Sequence, residues 1–149
     1  KTLVINNLEF DHADIFADLG AIQTQFHHLV RMVPENGLIL TPNNTAAIEE
    51  MLKKGCWSSR QSLGKEWHAE LLKKDGSEFN VLHNGVIAGT VTWALVGQHN
   101  VDNALMAIAA AHSASGDAGR LIGYCIRYVC VLLPTQEDFV IYLLHHPRK

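Results

Sequence analysis

Two stretches of the sequence carry side chains suited to chemistry. The first, NNLEFDHADIF (residues 6–16), sets Glu9, Asp11, His12 and Asp14 directly after the apolar run TLVI. Carboxylates and an imidazole at a strand end can cap the next helix. They can equally hold a divalent cation such as Mg²⁺ or Mn²⁺ against phosphate oxygens, because these hard cations commonly take only one or two protein ligands. Both readings stand on the residues alone. The second stretch, GQHNVDN (residues 97–103), contains His99, Asn100 and Asn103. Asn100 and Asn103 are three apart and share a helix face, where a carboxamide can both donate to and accept from an adenine edge. Asn100 also suits a helix N-cap.

Other candidates are less specific. His27 and His28 are adjacent in a helical pattern and so face different directions, which suits a surface His beside a core-edge His better than a chelate. His145-His146-Pro147 follows the last apolar run. SLGKE (residues 62–66) contains a Gly-Lys pair, but Ser59 and Glu66 stand where a P-loop has its first Gly and its Ser/Thr, so it is no phosphate cradle. Cys56, Cys125 and Cys130 are odd in number and lack C-x-x-C spacing, which argues for reduced, mostly buried thiols and against a disulfide framework or zinc knuckle.

The elements that must position these residues follow from periodicity. TLVINN is short and continuously apolar, as in a parallel strand buried on both faces. From Asp14 the apolar residues Ile15, Phe16, Leu19, Ile22, Phe26, Leu29, Val30 and Val33 recur at steps of three and four, predicting a helix that Pro34 ends. LILTP reads as a second strand, and Asn44 or Thr45 can cap the helix AAIEEMLKK, which Gly55 stops. Between Trp57 and Leu95 the turn signals Asp75-Gly76 and Asn84-Gly85 predict an antiparallel meander of three strands. VDNALMAIAAAHSA is an Ala-rich helix, DAGRLIGYCIRYVCVLL (residues 117–133) suits a further helix carrying Leu121, Ile122, Cys125, Val129 and Leu132, and DFVIYLL suits a last strand. The expected fold is α/β, a mostly parallel sheet flanked by helices with a small antiparallel meander inserted.

Composition bounds the partners. The 149 residues carry 12 basic and 15 acidic side chains, a formal charge of -3, which excludes a nucleic-acid footprint and a polybasic membrane patch. With 48% hydrophobic and 18% charged residues the chain is that of a globular domain. It contains no apolar run long enough for a membrane span and no signal-peptide pattern at its start, so the expected location is cytoplasmic.

Taken together, NNLEFDHADIF, AIQTQFHHLVR, GCWS, LVGQHNVDNALMAIAAA and the terminal HHP resemble the Mur ligases of peptidoglycan synthesis, over residues 1 to about 112. The resemblance implies a magnesium- and ATP-dependent ligase. ATP phosphorylates the muramyl carboxylate, a peptide amine attacks the acyl phosphate, and ADP and phosphate leave. It implies His12 as a ligand of Mg²⁺ with Asp11 supporting it, and Asn100 and Asn103, with His99 beside them, at the adenine. The implied substrates are UDP-N-acetylmuramate and a muramyl tripeptide or L-alanine, in cell-wall biosynthesis and murein recycling. On this reading residues 1–149 form the C-terminal part of the central ATP-binding domain, with a meander at 57–95 and a divergent tail at 113–144. The UDP-binding domain, the P-loop and the C-terminal domain fall outside the chain, which alone is then expected to be inactive. In the tail, Leu143 and Leu144 stand directly before the histidines, the Asp pair that the family carries ahead of its His-His-Pro is absent, and Arg127 has no Arg neighbour. A reading from another class is a non-catalytic structural or interaction module that keeps the fold without binding nucleotide.

Overall fold

In the computed structural model the described residues are 2–6, 8, 18–43, 45–115 and the backbone of 139–142. The strand β1 (Thr2–Ile5), with all four residues buried, is followed by α1 (Leu19–Met32), β2 (Leu38–Thr41) and α2 (Ala46–Lys53). Next come β3 (Ser59–Ser62), β4 (Trp67–Leu71), β5 (Glu78–His83), β6 (Val86–Thr92), α3 (Gln98–Ser115) and β7 (Phe139–Tyr142). A four-stranded parallel sheet has the order β3-β2-β1-β7, and a three-stranded antiparallel sheet has the order β4-β5-β6. The expected fold class is the one observed.

The period-two geometry of the strands explains how one short sheet serves two cores. Leu3, Ile5 and Ile39 point to one face and pack with Ile22, Phe26 and Val30 of α1 and Ile48, Met51 and Leu52 of α2. Val4 and Leu40 point to the other, where they meet Val101, Leu105 and Ile108 of α3 and Trp67, Phe79, Val81 and Val91 of the meander. A parallel strand buried on both faces has no polar side to show, which is why TLVI and LILT read as continuous apolar runs. Buried Gln23 ties α1 to α2 by donating to the Ala47 carbonyl at 3.0 Å and to Glu50 at 3.2 Å.

Two boundaries differ from expectation. The described part of α1 begins at Leu19, and the cap is Asp18, whose Oδ1 accepts from the Ala21 N–H at 2.8 Å; Asp14 lies outside the described residues. Thr45 takes the expected N-cap position of α2 without a side-chain cap bond, and Asn44 lies outside the described residues. The antiparallel sheet runs from Trp67 to Thr92, narrower than 57–95, because Ser59–Ser62 joins the parallel sheet beside Leu38–Thr41. SRQS has no apolar alternation to announce a strand. It is an edge strand held by backbone pairing, with Arg60 ion-paired to Glu49 of α2. The predicted helix at 117–133 and with it the cysteines Cys125 and Cys130 lie outside the described residues; Cys56 is a free, half-buried thiol.

The meander docks on α3 through an aromatic and imidazole cluster. The fully buried Trp67 ring stacks on His83 at 4.1 Å between centroids and 10° between planes, while His112 of α3 meets Trp67 edge-on at 5.3 Å and His83 at 4.7 Å. Burial lowers the His83 pKa below the ordinary 6.5, the neighbouring His112 adds to this, and Glu66 opposes it. His27 is lowered too, by burial first and then by Arg31, Lys54 and His28. Groups held neutral in the fold take up protons on unfolding once the pH drops below their unfolded value. Stability therefore rises with pH in that window; the contribution is present above about 6.5 and is lost as pH falls below it. The urea midpoint is accordingly expected to be lower at pH of about 5.5 than at about 7.5 with an unchanged slope. His83→Gln should shrink that difference, and an equal difference in the variant refutes the assignment.

Candidate functional site

The second sequence motif opens α3, and the meander fixes how α3 enters. The Gly97 N–H donates to the Asp75 carbonyl at 2.7 Å, and the Trp93 indole donates to the Gly76 carbonyl at 2.9 Å. Asp75 organises its own turn by accepting from the Ser77 N–H at 2.9 Å and hydroxyl at 2.7 Å, which holds its carboxyl below the usual range. Gly76 sits at φ +81°, and a Cβ there would come within 2.9 Å of the Val101 side chain. An Asp-Gly turn is therefore needed at this place for two reasons, the left-handed backbone and the close approach to α3.

The site residues on α3 have different partners. Asn103 is exposed, and its Oδ1 accepts from Nδ2 of Asn6 at 2.7 Å. Asn6 is the first residue beyond β1, so this bond joins the carboxyl end of the parallel sheet to the motif on α3 across 97 residues of sequence. Asn100 has a different partner: its Nδ2 donates back to the Val96 carbonyl at 2.8 Å. It donates to a carbonyl and does not accept from a helix N–H, so it is no N-cap. His99 is exposed beside Gly97.

The neighbouring face of α3 lines a cleft of about 310 Å³ with Leu105, Asp102, Gln98, His68, Gly64 and Asn43. Gln98 donates to Asp102 Oδ1 at 2.9 Å. The cleft opens at the carboxyl ends of β2 and β3, the edge at which open α/β sheets collect ligands. Sequence reasoning did not find it, because its residues come from the β2 end, the β3–β4 turn, β4 and α3, and only the Gln98/Asp102 spacing is local. Asn6 has no role legible in the sequence, since nothing local names its partner.

The remaining candidates have definite places. His28 is exposed and His27 half-buried, as their helical positions predict. In SLGKE the Ser62 N–H is taken by the Glu66 carboxylate at 2.9 Å, which closes this turn to phosphate. Glu9, Asp11, His12 and Asp14, Arg127, and His145 and His146 lie outside the described residues. Among the described residues no group of three or more His, Cys, Asp or Glu is disposed to hold a metal, and no helix is long and apolar enough to cross a membrane.

The chain is 52% identical, over 99% of its length, to UDP-N-acetylmuramate–L-alanyl-gamma-D-glutamyl-meso-2,6-diaminoheptandioate ligase of Haemophilus influenzae, of which it covers 35%. It is 51% identical over 85% of its length to the Escherichia coli ligase of the same name, of which it covers 29%. It thus spans about a third of the curated relatives that it matches. Among solved structures, the corresponding ligase of Neisseria meningitides superposes with a TM-score of 0.70 and 51% identity, over 80% of this chain and 38% of that one. The Mur ligase middle domain matches residues 1–111, and with these relatives it shows that the chain belongs to the Mur ligase family.

Proposed function

We propose that the chain is the nucleotide-handling middle segment of an ATP-dependent ligase. The whole enzyme joins a peptide, L-alanyl-γ-D-glutamyl-meso-diaminopimelate or a close analogue, to the carboxylate of UDP-N-acetylmuramate in the cytoplasm. The carboxylate is activated as an acyl phosphate, the peptide amine displaces phosphate, and the new bond is an amide. The observation that carries this reading is the Asn6–Asn103 contact at 2.7 Å, because it brings the strand end that leads into Glu9–Asp14 against the adenine-type motif of α3. Asn103 would meet the base, with Asn100 and His99 on the same helical turn. The side chains of His12 and Asp11 form an imidazole and carboxylate donor set that fits Mg²⁺. A bound Mg²⁺ would neutralise charge on the phosphate oxygens during transfer. The remaining phosphate and sugar contacts belong to the rest of the parent protein, and the isolated chain is inactive on this reading.

Calorimetric titration of the full-length parent with Mg-ATP tests this directly. Asn103→Ala is expected to weaken binding by roughly 10- to 100-fold, the cost of losing a hydrogen bond to a desolvated base. Unchanged affinity in the variant would favour a module that keeps the fold without reading nucleotide through α3.

A further inference from the structure

We infer that Asn6 is a positioning residue that sets which end of the Asn103 carboxamide faces the nucleotide base. The inference rests on the reading that Asn103 meets adenine, and it adds a direction to that contact. The terminal torsion of an Asn side chain is broad and nearly two-fold, so an exposed Asn on a helix can present either its oxygen or its NH₂ at little cost. Asn103 is exposed on α3, and helix geometry alone leaves that choice open. Asn6 removes it. Its Nδ2 donates to Asn103 Oδ1 at 2.7 Å, so the oxygen of Asn103 is held toward β1 and its NH₂ is turned away from Asn6.

Asn6 is well placed for this task. It follows directly on four buried residues of β1, which is paired on one side by β2 and on the other by β7, so its backbone is anchored at the centre of the sheet. Asn103 lies between Asp102, half-buried at the cleft, and buried Ala104, on a helix tied to the strand again at its far end, where Thr2 Oγ1 and Ser113 Oγ are 2.9 Å apart. Both ends of the hydrogen bond therefore stand on elements whose relative position is fixed. With its oxygen engaged, Asn103 acts toward the base chiefly as a donor, and the group that it recognises is a ring-nitrogen acceptor of a purine.

A double-mutant cycle in the full-length parent, read by Mg-ATP calorimetry and steady-state kinetics, tests the inference. Asn6→Ala is expected to weaken nucleotide binding about 3- to 10-fold, to raise KM for ATP and to leave kcat nearly unchanged. In an Asn103→Ala background the same change is expected to alter affinity less than about 2-fold, because its only route to the base is gone. Asn6→Asp separates positioning from packing: the carboxylate has the same size but cannot donate, and it draws the Asn103 NH₂ toward itself. Its affinity is expected to fall at least as far as in Asn6→Ala, whereas a space-filling role would leave it near wild type. Wild-type affinity in Asn6→Asp, or equal losses from Asn6→Ala in both backgrounds, overturns the inference. If Asn103→Ala itself binds Mg-ATP normally, the assignment of Asn103 to the base fails and this inference falls with it. If Asn103→Ala weakens binding and the Asn6 variants do not, only the role of Asn6 fails.

Discussion

Trp67→Ala is expected to destabilise the chain by about 3–5 kcal/mol, read as a lowered urea midpoint and a melting temperature reduced by on the order of 10 °C. The size follows from what the ring does. Trp67 is fully buried where β4, β5 and α3 meet, and it packs in one cluster with Val4, Leu40, Phe79 and Leu105. Truncation would leave a cavity bordered by stranded imidazoles, since His83 loses its stacking partner at 4.1 Å and His112 its edge contact at 5.3 Å. It would also remove the donor to Gln61 Oε1, now 2.9 Å from the indole nitrogen, and so loosen β3 from the meander. Trp67→Phe retains most of the buried area and is expected to cost much less. A loss below about 1 kcal/mol for the alanine variant would mean that the meander folds independently of α3, contrary to the single core that spans them.

That core also explains what was readable from sequence. β1 and β2 were legible because burial on both faces leaves only apolar residues, and the hairpins because Asp75-Gly76 and Asn84-Gly85 are local turn signals. β3 was not, because a polar edge strand is defined by its neighbour's backbone and not by its own pattern. The start of α1 was ambiguous for a different reason: Ile15 and Phe16 continue the apolar stripe, and Asp11, Asp14 and Asp18 all have cap chemistry. Only the Asp18 bond to Ala21 distinguishes one of them. In the site, the motif GQHNVDN was legible as a group of carboxamides on a helix. The different partners of Asn100 and Asn103 were not, since these are the Val96 carbonyl and the remote Asn6. The cleft beside Asp102 was illegible because tertiary packing assembles it.

The second large effect concerns activity alone. In the full-length parent, His12→Ala is expected to reduce the ligation rate by on the order of 10²–10³-fold, the usual cost of losing one element of charge stabilisation in a transfer site. The melting temperature is expected to change by no more than about 1–2 °C, since the role proposed for this imidazole is to hold a cation and not to fill a core. Asp18→Ala should behave in the opposite way. It removes an observed helix cap at a cost of about 1 kcal/mol and leaves the chemistry in place. The two variants are expected to show opposite patterns, because loss of a cap lowers stability and loss of a cation ligand lowers rate. Measured across a Mg²⁺ titration, the His12→Ala enzyme should need more Mg²⁺ for half-maximal rate, as a site that has lost a protein ligand must. Near-normal turnover at limiting Mg²⁺ would remove His12 from the metal site. The Asn6–Asn103 contact would then be the remaining support for placing nucleotide chemistry at this edge of the sheet.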